Sequence, residues 1–145
     1  MTRPVSRRRG ERGAALVEMA IVLPVLALLL FGIITFGATM SFKQSMSQAT
    51  NEAARAAAVA PRDLAVIRAT AAADRATSGF GVPCNEDAGL TCSFVIAPCS
   101  NGDGDCMTVE LTYDLRGHPR VPSVPGVSST LPDTLVSRAV VQVDP

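Results

Sequence analysis

The chain has no Trp, one Tyr (Tyr113) and one His (His118), and Lys43 is its only Lys. A single His in a proline-rich stretch leaves no His–acid–nucleophile set and no multi-His metal site. There is no G-x-S-x-G motif and no phosphate-cradling glycine loop, so the residues offer no basis for an enzyme, a cofactor or a small-molecule substrate. Charge is missing where it would be most noticed: Met19 to Phe42 contains no Asp, Glu, Lys or Arg. An uncharged apolar run of that length exceeds the roughly 20 residues needed to cross a bilayer.

The formal net charge of zero conceals an asymmetry. Five arginines stand in residues 1–13, and the region after Phe42 is mildly acidic. That order indicates a single-pass membrane protein and gives no reason to expect nucleic-acid binding. The basic end would stay cytoplasmic by the positive-inside rule, placing the remainder outside the cytoplasm. Twelve Arg to one Lys, with abundant Ala, suggest a GC-rich bacterial genome.

Four segments are expected: a basic, disordered leader (1–13), a transmembrane helix (14–42), an extracytoplasmic helical stalk (43–79) and a small β-rich head (80–145). Pro24 lies inside the span, where it removes one backbone bond and bends the axis. Lys43 to Ala60 lacks Gly and Pro and carries small or apolar residues at 42, 46, 49, 53, 56 and 60, a helical stripe. Pro61 breaks the pattern. Arg62 to Thr77 resumes it, with Leu64, Ile67, Ala71 and Ala72 on one side, and Ser78-Gly79 ends it. Thr91–Ala97, Met107–Leu115 and Leu135–Val143 read as strands, with a turn at Asn101–Asp105 between the first two. Gly117–Pro132 holds four prolines and reads as a surface loop. The fold class is therefore α+β: a long helix, kinked near Pro24 and Pro61, packed on a small antiparallel sheet.

Cys84, Cys92, Cys99 and Cys106 all fall in the outer region, where an even count favours two disulfides. Three pairings are possible; Cys84–Cys92 with Cys99–Cys106 is preferred because each closes a short loop. Their spacing does not match the short pairs of zinc sites. Asn101, Asp103 and Asp105 have calcium-loop spacing, but Cys106 stands where Gly is needed and Thr112 where Glu is needed, so a polar turn is the better reading. No metal site is expected.

Glu18 is the residue that calls for an explanation. A carboxylate beside a membrane span is costly without a partner. A secretory signal peptide would have a shorter apolar core, and a plain signal anchor accounts for the arginines without Glu18. If the chain is cut after Gly13, Ala14 carries a new α-ammonium one helical turn from Glu18. The carboxylate can pair with that amine or with a neighbouring subunit's, and it favours the helix N-terminus. Gly37, Ser41, Ser45, Ala49, Ala53 and Ala57 form an i, i+4 row of small residues that permits close helix approach. The outer half of this row could equally seat the protein's own sheet.

Gly13-Ala-Ala-Leu-Val-Glu18 before an apolar helix resembles the processing signal of type IV pilins. The wider stretch Arg9–Pro24, with Phe31-Gly-Ile-Ile-Thr-Phe-Gly37 and Asn51-Glu-Ala-Ala-Arg-Ala-Ala57, resembles the TadE-like family of the Tad (Flp) pilus apparatus; Val124-Pro-Gly126 and Ser137-Arg-Ala139 are also similar, less specifically. The resemblance implies a pilin-like fold, cleavage by a prepilin peptidase between Gly13 and Ala14, and a pseudopilin or minor pilin that meets other pilin-like subunits or Tad assembly proteins through its N-terminal helix. A signal-anchored binding module outside any pilus is the alternative.

Overall fold

Helix formation starts from the apolar run and extends in both directions, and on the C-terminal side it ends just before Pro61. The computed structural model describes residues 8–84, 86–102, 104–120 and 131–143, with side chains described at 13–84, 87–102, 104–120 and 131–143. Helix α1 spans Arg8–Ala58, 51 residues, about 77 Å at 1.5 Å per residue. Its start corrects the expectation of disorder through residue 13: Arg8 to Gly13 is helical, and residues 1–7 of that leader lie outside the described part. Downstream residues have paid the nucleation cost, so adding turns across Gly10 and Gly13 costs only about 1 kcal/mol per glycine. Pro24 lies within the helix.

The interruption expected at Pro61 is a reversal of direction. Pro61 has extended backbone (φ −53°, ψ 144°), and the residue before a proline disfavours helical geometry. Ala60 N–H donates to the Ala57 carbonyl at 3.2 Å, and Leu64 N–H to the Pro61 carbonyl at 2.9 Å. Helix α2, Arg62–Ser78, then returns along α1, so that Phe80 just beyond it lies beside Ser45, Gln48 and Ala49.

The inward face of α2 also differs from the expected one. Ala65, Ala69, Ala73 and Thr77 are buried, whereas Leu64 and Ile67 are 37% and 62% exposed; Ala71 is exposed and Ala72 half-buried. On the outer half of α1 the covered residues are Met46, Ala49, Thr50, Ala53, Ala54 and Ala57. Two alanine rows let the helices approach closely, and alanine loses no rotamer freedom on burial. Leucine and isoleucine would hold the axes apart.

A short 3-10 turn, Glu86–Ala88, leads to β1 (Leu90–Pro98), β2 (Asp105–Asp114) and β3 (Thr134–Val143). The strands form an antiparallel sheet in the order β1-β2-β3, with Phe94 opposite Val109 and Glu110 opposite Arg138. Their limits agree within two residues with the three predicted strands. Alternation puts Met107, Val109, Leu111 and Tyr113 against the helices and leaves Thr108, Glu110 and Thr112 on the outer face. The turn before β2 uses Gly102 and Gly104 at positive φ (82° and 71°).

The disulfides are Cys84–Cys92 and Cys99–Cys106, with Cα separations of 5.5 and 4.9 Å. The first ties the chain leaving α2 to β1, where Cys84 N–H also donates to the Asp74 carboxylate at 3.0 Å. The second closes the β1–β2 turn. Arg62 at the start of α2 pairs with Asp105 at the start of β2. Its side chain is 52% exposed, so Arg62→Ala is expected to cost less than about 1 kcal/mol in a thermal melt; a larger loss would mean that the pair organises the helix reversal.

Candidate assembly interface

The apolar part of α1 is uncovered around nearly its whole circumference. From Gly13 to Ile34 only Ala27 and Gly32 are even half-buried, and Leu16, Ile21, Leu26, Leu29 and Ile33 are each more than 60% exposed. A helix apolar on all sides, with its side chains uncovered by the rest of the molecule, is built for lipid or for other helices. Within the described residues this is the one helix long and apolar enough to cross a membrane. Coverage begins at Thr35 and Thr39, which are 3% and 5% exposed. The Thr39 hydroxyl donates to the Thr35 carbonyl at 2.9 Å, and the Ser45 hydroxyl to the Ser41 carbonyl at 3.0 Å. The helix thus satisfies these hydroxyls with its own carbonyls.

Gly13, Ala14 and Glu18 lie on exposed helix. The Gly13–Ala14 bond is inside α1, so any peptidase acting there must unwind the first turns, a change eased by Gly10 and Gly13. Among the described residues Glu18 has no ion-pair partner.

The small-residue row divides in two. Ala49, Ala53 and Ala57 are covered by the protein's own core, at 1%, 0% and 0% exposure. Gly37 and Ser41 are exposed and Ser45 half-buried, and a Cβ built on Gly37 would meet nothing within 4 Å. The stretch open to another helix therefore runs from Gly37 to Ser45, ending at a groove of about 490 Å³ lined by residues including Gln48, Glu52, Arg55 and Phe80.

Where α1 leaves the apolar segment, a cluster forms that sequence reading did not anticipate. The Phe42 and Tyr113 rings meet edge to face, 4.7 Å between centroids. Arg120 lies over both, 5.5 Å from Phe42 and 5.7 Å from Tyr113. Its Nε donates to the Tyr113 hydroxyl at 3.0 Å, which donates to the His118 carbonyl at 2.7 Å. His118 is thus held by its backbone, and its ring packs where a Cβ on Gly89 (φ 78°) would stand. The only advance sign was that the sole tyrosine lies on the central strand.

No group of three or more His, Cys, Asp or Glu among the described residues could hold a metal ion. In the loop with calcium-like spacing, Asp105 is paired with Arg62 and Asp103 lies outside the described residues. Of the chain's late segments, Val124-Pro-Gly126 is likewise outside them, and Ser137–Ala139 forms part of β3.

Residues 13–55 match the family model described as TadE-like protein. The match covers the apolar helix and stops before Pro61, leaving α2 and the sheet outside it. No curated protein and no solved structure gives a significant match.

Proposed function

We propose that this chain is a TadE-like pseudopilin or minor pilin: a membrane-anchored structural component of Tad (Flp) pilus assembly, cut by a prepilin peptidase after Gly13. The observation that carries the reading is the uncovered apolar segment of α1, which matches the TadE-like family and has a lone carboxylate, Glu18, five residues after Gly13. The physical logic is electrostatic. Removing the basic leader creates an ammonium at Ala14, and Glu18 pairs with it or with that of the adjoining subunit, which lowers the desolvation cost of both charges. The Gly37–Ser45 stretch lets that neighbour's helix approach. The leader remains cytoplasmic and the head extracytoplasmic. The role is assembly rather than turnover.

The test is the N-terminus of the full chain extracted from membranes of cells that express a prepilin peptidase. Intact mass and N-terminal sequencing are expected to show a chain beginning at Ala14. A start at Met1 or Thr2 would replace this reading with that of a signal-anchored binding module, and a start near Ser41 would indicate ordinary signal-peptide removal.

A further inference from the structure

We infer that the base of the head, built on Phe42, Lys43 and Arg120, is a docking surface for anionic phospholipid headgroups of the bilayer that α1 crosses. The inference rests on the membrane-anchored reading above but not on cleavage or on membership of a pilus.

Depth comes first. About 20 helical residues cross the hydrocarbon core, and counted from Met19, after Glu18, they end near Ala38. Phe42 stands four residues further along, about 6 Å, within a headgroup layer that is roughly 5–8 Å thick on each side. Lys43, the first charge after the span, is exposed at this level. Folding adds a second cation from far along the chain. Arg120 is brought over the Phe42 ring by its contacts with Tyr113 and by its Nη1, which donates to the Phe80 carbonyl at 3.4 Å.

Chemistry comes second. A guanidinium has five N–H donors. Two are engaged by the Tyr113 hydroxyl and the Phe80 carbonyl, so three have no partner among the described residues, and Arg120 is exposed. No carboxylate among those residues forms an ion pair with Arg120 or Lys43. The two nearby in sequence are committed elsewhere: Asp114 accepts from the Arg116 and Gly117 amides at 3.1 and 2.9 Å, and Asp133 pairs with Arg116. Asp105 lies at the far end of the head, beside Arg62. One cation over an aromatic pair and a second exposed on α1 beside Phe42, neither ion-paired among the described residues, suit phosphate at headgroup depth, and arginine's planar fork suits it best.

The experiment compares the full chain in nanodiscs of neutral phosphatidylcholine with nanodiscs that also contain phosphatidylglycerol, reading backbone hydrogen exchange at Arg116–Arg120. The anionic lipid is expected to slow exchange there roughly five-fold for each cation, and high salt should remove the difference. The Lys43→Gln/Arg120→Gln double variant should exchange equally in both discs, and Arg120→Lys should keep most of the lipid dependence. Equal exchange of the unaltered chain in both discs overturns the inference while leaving the anchor intact. So does a lipid-dependent slowing that survives in the double variant. A chain that fails to enter discs or to float with vesicles overturns the inference and the anchor together.

Discussion

Ala69→Leu is expected to destabilise the head by about 2–3 kcal/mol, lowering its melting temperature by roughly 10–20 °C. Ala69 has no exposed surface and stands on the face of α2 that packs along α1. A leucine there adds three carbons where the interior is close-packed, and the neighbouring alanines on α1 have no rotamers with which to make room. The backbones must separate, which loosens Ala49, Ala53 and Ala57 as well. Ile67→Ala, two positions away, is the control. Ile67 is 62% exposed, and its loss should change stability by no more than about 0.5 kcal/mol. A thermal melt of the two variants by circular dichroism decides the matter. If Ile67→Ala is the damaging change, the helical hairpin is oriented the other way round.

Glu18→Ala is expected to reduce incorporation of the chain into assembled pilus material by about 100-fold or more, with the melting of the head unchanged. Removing one member of a poorly solvated ion pair leaves the other charge uncompensated, a cost of about 3–5 kcal/mol. Glu18 lies far along α1 from every residue of the sheet and α2, so folding of the head should not register the change. Glu18→Asp, with the charge kept on a shorter arm, should recover part of the assembly. The measurement is the quantity of the chain in sheared pilus fractions relative to membranes. Normal incorporation of Glu18→Ala would remove the electrostatic basis of the assembly role, whatever the N-terminus proves to be.

These two variants probe different layers of information. The reading of Glu18 rests on neighbours along the chain: a glycine before it, an uncharged run after it, arginines upstream. The apolar helix, the break at Pro61, the three strands and the short-loop disulfides are similarly local. Proline geometry, β-branched alternation and short loop closure act over a few residues and need no partner to express themselves.

The orientation of α2 is another matter. Periodicity showed that the helix has faces and put Leu64, Ile67, Ala71 and Ala72 on one of them. The choice went to Ala65, Ala69 and Ala73 because the opposing surface is itself a row of alanines, and the distance between two helices is set jointly. The same cause divides the small-residue row: Gly37 to Ser45 stays open, while Ala49 to Ala57 is taken up by a helix that begins after Pro61. The meeting of Arg120 with Phe42 is more remote still, since 78 residues and the pairing of β2 against its neighbours separate them.

By itself, then, the sequence determined an apolar rod with one acid at its start and a disulfide-bonded α+β head beyond it. Only the tertiary structure decided which small residues remain available to a neighbour and which cation comes to lie over the Phe42–Tyr113 pair. Local patterns specify what each segment can bury. What each segment does bury depends on the shape of whatever it meets.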